Sequence, residues 1–108
     1  MPRKPVLFGE EKKADLPKDP KVYPVIAKWM LKEFLFHKHL YQLTVAHHVL
    51  TNHGQQYVYR NRRGHWALAK EILAEFRKIT PDDVVWSRST QAWRPRKPSD
   101  PEGKRMVR

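Results

Sequence analysis

A chain of 108 residues makes one domain with room for a single modest core. With no cysteine it has no disulfide, thiol nucleophile or thiolate metal site. Its 22 Lys and Arg outnumber 11 Asp and Glu, and the resulting formal charge of +11 favours polyanions as partners over acidic macromolecules.

The surplus is not confined to the ends: residues 22–93 carry ten basic and five acidic residues, and 94–108 carry six and two. No stretch approaches the roughly 18–20 apolar residues that span a bilayer. No apolar run follows the charged N-terminus, so neither a membrane association nor a signal peptide is expected, and a cytoplasmic location is. Seven of nine prolines fall outside 22–93, where apolar periodicity is also missing. Residues 1–21 are therefore expected to form an extended or disordered arm, 22–95 a folded domain, and 96–108 a basic disordered tail.

The first helix is expected from about Pro24, since proline suits a first helical turn. Val22, Ile26, Trp29, Met30 and Phe34 recur at helical spacing, and Leu35-Phe36 widen that face, which predicts a deeply buried helix ending near Lys38. Leu40–Gln42 reads as a very short strand. Thr44 is placed as the N-cap of a second helix over 45–53, with Gly54 ending it in a left-handed conformation. A third helix is expected from about Ala67 to Ile79, its stripe made by Leu68, Ile72, Leu73, Phe76 and Ile79. After the turn at Thr80-Pro81, Val84–Trp86 and Ala92–Arg94 predict a hairpin with a loop of about five residues.

That order predicts a mainly α fold with a small β-hairpin: a winged helix-turn-helix-like domain of three helices plus wing. Two alternatives stay open, a plain three-helix bundle with a C-terminal hairpin, and a hairpin at 57–68 in place of a loop.

The segments AKWM at 27–30, LYQ at 40–42, YVYRNRRG at 57–64, ILAEFRK at 72–78 and VVWSRSTQAWRPR at 84–96 resemble an uncharacterised family of short bacterial and phage proteins. The resemblance runs from about Val25 to Arg96 and implies a compact winged-helix-like domain. It contains no catalytic signature. The chain departs from that family at Arg60, Arg62 and Arg63, where the relatives carry acidic or neutral residues.

Two basic constellations point to phosphate. Arg60, Arg62, Arg63 and His65 stand just before the third helix, with Lys70 near its start. The helix N-terminus there offers free N–H groups, and an arginine fork matches phosphate or guanine geometry. Arg88, Arg94, Arg96 and Lys97 occupy the hairpin and its exit, where a wing lies along a nucleic-acid backbone. Trp86 and Trp93 are expected as cross-strand neighbours, for packing before base stacking. The opposing reading of both clusters is a solvated basic surface.

All six histidines lie in 37–65: His37, His39, His47, His48, His53 and His65. Between Leu35 and Arg63 there is no Cys, Asp or Glu to complete a metal site, so no metal and no cofactor is expected. No nucleophile motif or phosphate-cradling glycine loop occurs, and Asp82-Asp83 and Glu71/Glu75 suit capping and surface ion pairs, so no enzymatic activity is expected.

The expectation is a non-catalytic nucleic-acid-binding protein, with duplex DNA favoured over RNA and a regulatory role by analogy of fold alone. Roughly six neutralised phosphates give a log–log salt slope of about −5. The alternative is a phage-type interaction factor that redirects a host enzyme, with Tyr57, Tyr59 and Trp66 as interface anchors. A third option is a component of an RNA–protein assembly. Oligomeric state is not legible.

Overall fold

The computed structural model describes residues 16–107; residues 1–15 of the arm expected over 1–21 lie outside them. Helix α1 (Val22–His37) begins two residues before Pro24, because Asp19 supplies the entry: its carbonyl accepts the Val22 N–H at 3.0 Å and its carboxylate the Lys21 N–H at 3.0 Å. The buried stripe is Ile26, Ala27, Met30 and Phe34. Leu35 and Phe36 do not widen it. They are 55% and 80% exposed, since each residue turns about 100° further around the helix from Phe34. Lys38 stops the helix in the left-handed region at φ 60°, its N–H donating to the Phe34 carbonyl.

Strand β1 (Leu40–Tyr41) leads directly into α2 (Gln42–Asn52), three residues earlier than a Thr44 cap requires. The reason is tertiary: the Gln42 N–H, an orphan at the helix start, donates at 2.9 Å to the Gln91 carbonyl of a distant hairpin. Val45, Ala46 and Val49 turn inward. At the far end His53 and Gly54 both donate to the Val49 carbonyl. Gly54 has φ 120° with ψ 163°, an extended glycine conformation and not the left-handed helical one expected.

A 3-10 turn (Gln55–Tyr57) follows, then β2 (Val58–Arg60) and β3 (Trp66–Leu68), paired antiparallel with Val58 opposite Leu68 and Arg60 opposite Trp66. This is the hairpin held open as an alternative. It takes Ala67 and Leu68 away from the third helix: α3 is Lys70–Ile79, with Ile72 and Phe76 buried and Leu73 and Ile79 only partly covered. The Thr80 hydroxyl donates to the Phe76 carbonyl at 2.7 Å and closes α3 in a buried setting.

Strands β4 (Val84–Ser87) and β5 (Ala92–Pro95) form the expected hairpin one residue longer on each arm, with Trp86 opposite Trp93. The segment expected as a disordered tail returns to this sheet. Met106–Val107 forms β6, parallel to β4, and Val107 is buried. The four-stranded sheet has the order β1-β5-β4-β6.

Three helices, a four-stranded sheet and a two-stranded hairpin make a mixed α/β domain among the described residues, where mainly α was expected. One core joins them: Ile26 and Met30 of α1, Val45 and Val49 of α2, Leu68 of β3 and Ile72 of α3 are all completely or almost completely buried. The β2–β3 hairpin and the returning C-terminus shift the class: the first is local pairing that replaces the start of the third helix, and the second pairs with β4 some twenty residues away.

Candidate nucleic-acid interface

The β2–β3 loop owes its shape to Asn61. Its side-chain oxygen accepts the Arg63 and His65 N–H groups at 2.9 and 3.1 Å, and its N–H donates to the His65 carbonyl. Gly64 supplies the positive φ of 78° that the tight turn needs. Arg62 and Arg63 are left exposed at the tip. Arg60 is held back on the hairpin, its guanidinium 4.2 Å from the Trp66 ring centre and donating to the Gly64 carbonyl at 2.6 Å.

This loop faces the second hairpin and the C-terminal segment across a cleft of about 1140 Å³. Phe76 and Trp93 form its base, edge to face at 5.4 Å, with Trp86 tilted against Trp93 at 4.6 Å. The Trp86–Trp93 pair is thus the packing pair expected, and it also surfaces in the cleft. Arg62, Arg63 and His65 contribute one side of the rim, Arg88 the hairpin tip, Lys104 and Arg105 the C-terminal segment, and Arg77 comes from α3. The lining holds six lysines and arginines and no aspartate or glutamate.

Arg105 is fixed by backbone and hydroxyl acceptors alone. It donates to the Val84 carbonyl at 3.1 Å, to the Arg77 carbonyl at 3.2 Å, and to the carbonyl and hydroxyl of Thr80. These engage four of its five N–H donors without an ion pair among the described residues, although the charges of Asp82 and Asp83 also act on it. Burial, and then the positive charge of Arg77 beside it, push the Arg105 guanidinium below its ordinary pKa. Like charges held together at a cleft lower their repulsion by taking up an anion.

Of the residues expected to meet phosphate, Arg62, Arg63, His65 and Arg88 share this cleft. Lys70, exposed at the start of α3, does not line it, and Arg60 lies back against Trp66. Arg94 and Arg96 are used internally. Arg94 grips Asp100 through two parallel hydrogen bonds of 2.9 and 3.0 Å, with only 14% of its side chain exposed. That bond, with the Lys97 N–H also donating to the carboxylate, holds the Asp100 pKa down to about 2. Arg96 donates to the carbonyls of Asp82, Pro101 and Lys104 and so wraps the C-terminal turn. Lys97 stays exposed on that turn.

The aromatic anchors of the alternative reading separate in the same way. Tyr57 is core, 3% exposed, edge to face with Tyr23 and accepting the Asp19 N–H on its hydroxyl at 2.8 Å. Tyr59 is 46% exposed and lines the cleft, and Trp66 is half-buried under Arg60. Arg77, Lys104 and Arg105 went unrecognised in the sequence: the first looks like an outer-face residue of α3, and the other two sit within a proline-rich tail. The apolar pair Met106-Val107 is the local sign that the tail re-enters the sheet.

The histidines are dispersed. His48 stacks on Trp29 at 3.7 Å, and burial followed by the nearby His53 lowers its pKa. His37 lies 3.5 Å from Glu33, and the His39 Nε2 is buried with no hydrogen-bond partner. No three His, Asp or Glu side chains among the described residues gather where they could hold a metal ion. No helix among those residues is long and apolar enough to cross a membrane.

Fold and site together define a small mixed α/β domain with a cation-lined, aromatic-based cleft. The chain belongs to a family of unknown function, DUF6953, which it matches over residues 24–95. No curated protein and no solved structure matches it.

Proposed function

We propose that this protein binds nucleic acid without catalysis, through contacts dominated by phosphate. The observation that carries the reading is the cleft, where six cationic side chains converge from four parts of the chain with no carboxylate among them. An exposed basic surface that served only solubility would have no reason to converge on a concavity, and a phosphodiester strand fits one.

The finer reading of the fold is a winged helix. It is supported by the order α1, β1, α2, α3 and a final hairpin, with β1 paired to β5 beside β4. The β2–β3 hairpin stands where the short turn of a helix-turn-helix runs, and β6 is an addition to the sheet.

The test is a mobility-shift series with random duplex, single-stranded DNA and structured RNA at two salt concentrations. The six cations of the cleft predict a log–log salt slope of about −4 to −5. No shift with any of the three at low salt removes the proposal.

A second reading, a protein-interaction factor, has one observation in its favour. Leu35, Phe36, Tyr41 and Leu43, near the edge strand β1, are each more than half exposed. Phe36→Ser leaves nucleic-acid binding intact under the first reading and abolishes partner capture under the second.

A further inference from the structure

The form of nucleic acid follows from where α3 sits. A helix reads duplex DNA by standing proud and entering a major groove about 12 Å wide, which its own side chains nearly fill. In this protein Leu73, Phe76 and Arg77 of α3 line the cleft together with the β2–β3 loop and the C-terminal segment, so this face of the helix shares a concavity with two neighbours. The part of α3 outside the cleft carries Glu71 and Glu75 beside Lys70 and Lys78, with Lys78 bridged to Glu75 at 3.0 Å, so it offers a phosphate backbone no net positive charge.

The cleft also has something a duplex backbone cannot use. Tyr59 and Trp86, both partly exposed, join the more deeply set Phe76 and Trp93 along its lining. Paired bases are stacked on one another and sheltered behind their phosphates, so an aromatic surface between cations meets bases only when they are unpaired.

We infer that the cleft takes a single strand, with its phosphates on Arg62, Arg63, Arg88 and Lys104 and its bases against Tyr59 and Trp86. This rests on the nucleic-acid reading and narrows it, away from the duplex that the sequence favours. An unpaired stretch of DNA and one of RNA present the same chemistry to such a cleft, so both are arms of the test.

Fluorescein-labelled oligo(dT) and oligo(U) of about twelve nucleotides, and a mixed-sequence duplex of the same length, are titrated with the full chain by anisotropy at low salt. Tryptophan emission is followed in parallel. Either homopolymer is expected to bind at least about tenfold more tightly than the duplex and to quench tryptophan emission. The variants Tyr59→Leu and Trp86→Leu each weaken the homopolymer by about five- to 150-fold and leave the duplex affinity alone. Trp86→Phe restores most of the loss, and the unchanged duplex affinity of the leucine variants separates lost stacking from a destabilised sheet, which would weaken both ligands. Equal or tighter binding of the duplex overturns the single-strand inference and leaves the proposed function standing. Homopolymer binding unchanged in both leucine variants overturns it as well. Failure of all three probes removes the proposed function itself.

Discussion

In the β2–β3 loop, Arg62 and Arg63 stand exposed at a turn shaped by Asn61, with no ion pair among the described residues. At the end of β5, Arg94 keeps only 14% of its side chain exposed and is locked bidentately to Asp100, while Arg96 is threaded through three backbone carbonyls. The two regions are similarly basic in sequence and opposite in use. The difference teaches that a guanidinium is available to a polyanion only if no internal acceptor of matching geometry has already taken it. A bidentate carboxylate cancels its field, whereas carbonyls, as at Arg105, hold it in place with the charge intact.

The largest effect that would break this comparison belongs to the loop and the hairpin tip. Replacing Arg62, Arg63 and Arg88 together by serine weakens nucleic-acid binding by about ten- to a hundredfold near physiological salt, and the salt slope shrinks by about 2 to 3. The melting temperature stays close to that of the parent chain, because none of the three guanidiniums makes an ion pair among the described residues. Anisotropy titrations at several salt concentrations measure both quantities, and an unchanged affinity assigns the cations to solubility alone.

Thr80→Val tests the place where the two regions meet. Its hydroxyl donates to Phe76 and accepts from Arg105, so its loss costs about 1–3 kcal/mol of stability in denaturant unfolding. It also frees Arg105, and binding weakens by less than in the triple variant.

Asp100→Asn sharpens the other side. It abolishes the charge partner of Arg94 and loosens the C-terminal turn, read as faster amide exchange around residues 97–107, yet it adds net positive charge to the chain. Duplex or single-strand affinity is expected to move by less than about threefold. A large gain in affinity would show that Arg94 was being withheld from the ligand.

The smallest effects are those of pH. The folded Asp100 pKa of about 2 lies below the ordinary carboxylate value of 3.8, so the native state holds fewer protons than the unfolded one in that window. The stabilisation it brings is fully present above pH 4 and is lost as pH falls from about 4 towards 2. His48 works in the same direction at higher pH. With its pKa lowered from 6.5, its contribution is present above that value and declines as acid protonates the ring stacked on Trp29. Amide exchange near residue 100 follows the first, and Trp29 fluorescence the second.

Much of this protein was determined by local sequence. The Ile26/Met30/Phe34 spacing makes α1, Ile72 and Phe76 make the inner face of α3, and Trp86 and Trp93 face each other across a hairpin because alternation and turn chemistry set the register. The charge excess is also a property of composition. Only the tertiary structure decided which charges remain free. Arg62 and Arg94 are the same residue type in similarly polar stretches, and what separates them is whether the fold brings a carboxylate, here Asp100 six residues on, within 3 Å. The start of α2 at Gln42, set by a carbonyl from Gln91, and the return of Met106-Val107 to β4 have the same origin. These last two depend on long-range hydrogen bonds, whose partners no window of neighbouring residues contains.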